Sequence, residues 1–266
     1  MKKILIYIPA VTTLISLLVA QTAPNTSVRQ FPPQSTAIKG VLVPVPREIF
    51  DTLDKFASSN WRAVQRPELA QQRPHGAQAD TALLLGVVIA EGFIAVEAED
   101  AGEVKSVGRA VLKLARGLGV EKTALRRSRS IVDHAERGDW AGVRKEWDGV
   151  LPDVQQGMNE LQSEQLAQLV SLGGWLRGTE ALTVLVLQNY SSQNAELLRQ
   201  PALLDHFEKR LAGMSDDVRT KPTIVRMRQG IQKIRPLVAS EDFQISQEKV
   251  KEISTVSEDL LKGLSR

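Results

Sequence analysis

Glu91, Arg177 and Glu180 are charged residues set into runs that are otherwise almost wholly apolar. Glu91 interrupts residues 81–98 (TALLLGVVIAEGFIAVEA), and Arg177 and Glu180 interrupt residues 166–187. A helix apolar on every side is a buried helix, so each charge has to find a counter-charge or give up its ionised form. On the first run Leu84, Val87, Val88, Glu91, Ile94, Ala95 and Ala98 share a helical face; on the second, Val170, Gly173, Gly174, Arg177, Ala181 and Val184 do. Small residues surround both charges: Gly86, Ala90 and Gly92 on one run, Gly173, Gly174 and Gly178 on the other. Each helical glycine costs about 1 kcal/mol against alanine, so several together imply close backbone approach or room for a large side chain such as Trp175. The expectation is a Glu91–Arg177 pair in the core, with Glu180 as a competing partner for Arg177. The favoured use of such a pair is a salt bridge that fixes helix register. The alternative is a ligand site: Arg177 for an anionic group, Glu91 and Glu180 for a cation or hydroxyls, and Trp175 as an apolar wall.

Other reactive groups are sparse. Two of the three histidines lie in Asp133-His134-Ala135-Glu136 and Asp205-His206-Phe207-Glu208. Metal-binding helices present ligands three or four residues apart, and here only the Asp and Glu have that spacing, so no metal site is expected. Arg126-Arg127-Ser128-Arg129 predicts a local positive patch, with a second from Arg219, Lys221, Arg226 and Arg228, but neither run has the aromatic residues that would stack on bases. No nucleophile elbow, phosphate-cradling glycine loop or metalloprotease motif occurs. No catalytic residue and no cofactor are expected. Trp140 and Trp147 share a helical face, which is either core or, if exposed, a partner surface.

The elements that hold these residues read as helices throughout. Pro46 opens an amphipathic helix over Ile49, Phe50, Leu53, Phe56, Ala57, Trp61 and Val64, and residues 66–78 form a loop with at most one helical turn. Asp80 is the candidate cap of the first apolar helix, whose pattern continues past a break near Ala101-Gly102 to a stop at Gly119. Helices follow over 123–137 and from Asp139, the latter divided by Pro152; then from about Ser163 to Gln188, from 201 to 211, from Pro222 to about Pro236, and from about Ser246 onward. Turn signals do not recur at hairpin spacing, so no strand is expected. The fold class is all-α: a bundle of long antiparallel helices with short helices at the ends. Sliding the chain by 86 residues sets Leu83 on Leu169, Glu91 on Arg177, Gly92 on Gly178 and Ala95 on Ala181. A true duplication predicts two pseudo-symmetric helical halves with neighbouring central helices; two generic apolar helices would also share matches.

The chain of 266 residues has 34 basic and 31 acidic side chains and no cysteine. Residues 1–23 read as an export signal, with Lys2 and Lys3 before an apolar stretch and cleavage after Ala20 or Ala23; an uncleaved anchor is the competing reading. Without the signal, 32 basic face 31 acidic groups, so nucleic acid is not an expected partner. The absence of cysteine excludes disulfides and a lipidated cysteine and fits a periplasmic location. Residues 24–46 read as a proline-rich extended linker, and 47–266 as one helical domain with no stable membrane span after signal removal. The function expected is a non-enzymatic interaction or scaffolding module, its grooves and amphipathic tail helix contacting a protein partner or a second copy. The alternative is a periplasmic small-ligand binding protein using the cleft around Glu91, Trp175, Arg177 and Glu180.

Overall fold

In the computed structural model, residues 36–38, 41–43, 54–56, 59–74, 76–239 and 244–264 are described. The expected signal (1–23), most of the expected linker and the helix start at Pro46 lie outside them. Among the described residues, nine helices of eight residues or more pack as an all-α bundle: α1 Gln78–Glu97, α2 Ala101–Gly117, α3 Glu121–Glu136, α4 Trp140–Trp147, α5 Val150–Glu160, α6 Glu164–Gln188, α7 Pro201–Ala212, α8 Pro222–Ala239 and α9 Gln247–Lys262.

Helix boundaries follow local chemistry. Glu99 turns left-handed (φ 49°), and the Asp100 side chain then caps α2 by accepting from the Glu103 N–H. Gly119 (φ 78°) and Gly138 (φ 69°) stop α2 and α3. Asp139 caps α4 through Gly142, and Ser246 caps α9 through Lys249. The chain divides between α4 and α5, with Pro152 in the first turn of α5, where its missing N–H costs nothing. Four expectations are corrected. Asp80 is no cap: α1 begins earlier, at Gln78, and Asp80 lies buried in its first turn. The continuous helix reaching Val64 is replaced by 3₁₀ turns at Asp54–Phe56 and Trp61–Ala63, because the Ser59 N–H closes on the Phe56 carbonyl and the chain restarts at Asn60. Helix α8 runs past Pro236 to Ala239, where Arg199 donates to the Val238 carbonyl at 2.9 Å. Strands do occur. Thr36–Ile38 pairs antiparallel with Val41–Val43, with Ile38 opposite Val41.

Helices α1 and α6 form the centre and make the most extensive contact in the molecule. Leu83, Leu84, Leu85, Val87 and Val88 on α1, and Leu169, Val170, Leu176 and Leu185 on α6, are wholly enclosed. Helix α1 is also the one described helix long and apolar enough to cross a membrane, and it is buried inside the protein. A Cβ built on Gly86 would collide with the Val170 carbonyl, and one built on Gly173 with the Leu83 carbonyl. The two backbones therefore touch, as only glycine allows. Around this pair, α2 and α4 pack on α1, and α5, α7 and α9 on α6. Val250, Ile253, Leu260 and Leu261 of α9 are buried against α6 and α8. The apolar face of the tail helix is thus consumed within the chain and not offered to a partner, contrary to expectation.

Candidate functional site

The apolar circumference of α1 places Glu91 beyond the reach of water, and α6 does the same for Arg177 and Glu180: all three side chains have 0% exposure. Arg177 Nε donates to Glu91 Oε2 at 2.7 Å, Nη1 to Glu180 Oε2, and Nη2 to the Val64 carbonyl at 2.6 Å. Glu180 is therefore a shared partner of Arg177 and not a competitor, since a guanidinium fork serves several acceptors at once.

Two further contributors come from the irregular segment between Trp61 and Gln72. The Arg66 backbone N–H donates to Glu91 Oε1 at 2.6 Å, and Arg66 Nη2 donates to Glu180 Oε1 at 2.9 Å. Trp61, Val64 and Leu69, each 4% exposed or less, pin this segment over the gap between α1 and α6. The result is a closed cluster of two guanidinium and two carboxylate groups with no net charge. Only Arg66, whose side chain is 30% exposed, reaches solvent. Arg66 and the Val64 carbonyl were missed by sequence reasoning. A backbone carbonyl has no side-chain signature, and an arginine in a proline-broken loop reads as solvated; its one clue is its place two residues after an apolar Val64.

Burial pushes the Glu91 carboxyl above the usual carboxylate range, outweighing the lowering by Arg177 and by the Arg66 N–H. Glu103, in the first turn of α2, is also raised, first by burial and then by the nearby carboxylates of Glu91, Asp100 and Glu68.

Trp175 is not brought to the cluster. It precedes Arg177 by two residues, which on a helix points it to the far side, where its ring meets Phe207 with centroids 5.7 Å apart. It cannot serve there as the wall of a Glu91–Arg177–Glu180 site. Trp147 is buried on α1, its Nε1 donating to the Ile89 carbonyl at 3.1 Å and its ring filling the space that a side chain at Gly92 would need. Trp140 is half-buried.

The other candidates lie away from this cluster. His134 Nδ1 lies 2.7 Å from Asp139 Oδ2. His206 is held below its ordinary pKa by burial, then by Arg210 and Lys209. Among the described residues no group of three or more Asp, Glu or His side chains is placed to hold a metal. The positive patch expected at Arg126-Arg127 is offset by acids from other helices: Arg127 pairs with Asp153 at 2.9 Å and Glu146 at 3.1 Å, and Arg126 with Asp153 at 3.7 Å. Likewise Arg219 pairs with Asp216 at 2.5 Å. Those acids lie 17 or more residues from the run, or on its own turn, so a local charge count misses part of them.

Chemically, the central cluster has no nucleophile and no open coordination position. Its donors and acceptors are spent on one another, and what it can do is hold α1, α6 and the 61–72 segment in one arrangement. Comparison with protein-family models, with curated proteins and with solved structures finds no match for this chain.

Proposed function

We propose that this protein is an exported, non-enzymatic helical module that works by contact with a protein partner or a second copy of itself. The observation that carries this reading is the saturated centre: all three nitrogens of the Arg177 guanidinium already donate within the chain, and Glu91 and Glu180 are out of reach of solvent. A buried polar site in which every side-chain nitrogen and oxygen already has a partner offers little to a ligand and suits a structural tie. Export to a periplasm is supported by the basic start and apolar stretch of residues 1–23 and by the lack of cysteine. The match of Glu91 to Arg177 at an offset of 86 residues, on two neighbouring central helices, supports an ancestral duplication. Contact surfaces then lie on the outer helices, where Leu125, Leu161 and Val225 are at least 40% exposed.

Native mass spectrometry of the full chain isolated without denaturant, followed by cross-linking, tests the reading. The expected result is a stoichiometric protein or a second copy, cross-linked near Leu125, Leu161 or Val225. A small-molecule adduct whose presence protects the α1 and α6 amides from hydrogen exchange would overturn it in favour of a ligand site at the cluster.

A further inference from the structure

Away from the centre, the segment 67–74 and the outer face of α2 line a half-open hollow of about 340 Å³. That volume is at the lower end of the range that small-molecule sites occupy. Ala70, Pro74, Ala110 and Leu114 make its walls apolar, while Arg73 and Lys113 stand exposed beside it. Most cations on neighbouring surface are paired: Arg62 with Asp100, Lys105 with Glu136, and Arg116 with Glu121. Among the described residues, Arg73 and Lys113 have no such partner. Gln72, which also lines the hollow, keeps its Oε1 enclosed and without a hydrogen-bond partner. Among the described residues no carboxylate lines the space, which disfavours a cation, and no aromatic ring lines it, which disfavours a base or sugar.

We propose that this hollow is a binding site for a small anionic amphiphile, a medium-chain monocarboxylate, with its chain against Ala70, Ala110 and Leu114 and its head between Arg73 and Lys113. Two cations from different elements then gain the counter-charge they lack. The chain enters space that apolar groups already line, where burial of hydrocarbon supplies the larger part of the affinity. The proposal stands apart from the scaffold reading, which concerns the central cluster and the outer faces of α3, α5 and α8.

Calorimetric titration of the full chain with octanoate, octyl phosphate, 1-octanol and acetate tests it. Octanoate should bind with one-to-one stoichiometry, and octanol and acetate each more weakly by about tenfold or more. Arg73→Ala and Lys113→Ala should each weaken octanoate by about threefold, and together by about tenfold, the range for exposed ion pairs. Octanol should be unaffected by these changes. Ala70→Phe, which fills the hollow, should abolish octanoate binding; if that variant does not fold, the double Arg73→Ala/Lys113→Ala variant, altered only at exposed positions, decides alone. Octyl phosphate binding more tightly than octanoate would overturn the assignment to a carboxylate. Absence of octanoate binding, equal affinity for octanol, or octanoate affinity unchanged in the double variant would overturn the site.

Discussion

Arg177→Met is the most informative perturbation of the centre. Methionine replaces the arginine's stem without charge, so the change removes the guanidinium while keeping most of the apolar packing around it. It removes the Glu91 and Glu180 ion pairs and the donor to the Val64 carbonyl in one step. Arg66 still serves both carboxylates, through its N–H to Glu91 and its guanidinium to Glu180. One negative charge is nevertheless left unbalanced on carboxylates that are themselves wholly enclosed. Breaking a buried pair in this way costs about 3–5 kcal/mol, and in a domain of this size that lowers Tm by roughly 6–20 °C. The pH dependence has a definite sign. Glu91 already has a raised folded pKa because of burial, and losing Arg177 removes the counter-charge that lowers it. A carboxyl raised in the folded state stabilises most when protonated, and that stability is lost as pH rises through the folded value. The deficit of Arg177→Met therefore shrinks on acidification below neutrality. Adding Glu91→Gln should restore part of the loss at neutral pH by removing the stranded charge, the remainder reflecting the unpartnered Val64 carbonyl. Thermal unfolding followed by circular dichroism measures each quantity. An Arg177→Met protein that melts within about one degree of wild type, or a double variant that loses the full sum of both single losses, would refute the cluster as an electrostatic unit.

Gly86→Ala and Gly173→Ala each push a Cβ into the backbone carbonyl of the opposing helix, so each should lose about 1–3 kcal/mol or more in chemical denaturation despite alanine's better helix propensity. Gly178→Ala, on the same helix with nothing within 4 Å, should instead gain up to about 1 kcal/mol; equal effects at the three positions would rule out the backbone contact. Glu103→Gln should raise Tm at neutral pH, because the native carboxyl is held above its ordinary pKa by burial and by Glu91, Asp100 and Glu68. That gain should fade as pH falls and the wild-type carboxyl takes up its proton; a gain independent of pH would assign the effect to packing.

The Glu91–Arg177 contact was legible in the sequence because two charges in unbroken apolar surroundings have few other places to go. The stops at Gly119 and Gly138 and the caps at Asp139 and Ser246 were legible because their chemistry is local. What was not legible depended on partners distant in sequence. Arg66 enters the core through a 3₁₀ segment that its prolines mark only as a loop. Trp175 looks like part of the cluster by proximity in sequence, yet helix geometry turns it toward Phe207. The acids that offset Arg126 and Arg127 come from α4 and α5. The strand pair Thr36–Ile38 and Val41–Val43 escaped because three-residue strands carry too little alternation to stand out beside prolines.

Helices α1 and α6 pose a problem that the outer helices do not. Helix α9 has an apolar stripe, and burying that stripe prescribes its rotation. Helices α1 and α6 are apolar around their whole circumference, so many rotations and axial shifts would bury nearly the same area. Two local devices break the degeneracy. The Gly86 and Gly173 notches admit the Val170 and Leu83 carbonyls at one axial position, since a one-turn slide of about 5.4 Å would put larger side chains where glycine is needed. The ion cluster then selects the rotation, because any other strands Glu91 or Arg177 among leucines and valines. On both helices the charged residue lies C-terminal to the glycine contact, so α1 and α6 pass their crossing in the same sense, unlike α1 and α2, which a short turn folds back on each other. Because charges taken out of water return little net stability, the cluster's contribution is to this choice of arrangement. The Gly86→Ala protein separates the two devices. With the ion cluster intact, its helices should move apart at Val170 without sliding, so that Arg177→Met costs as much stability in the Gly86→Ala background as in the wild type; a much smaller cost there would show that the contact had been lost with the notch.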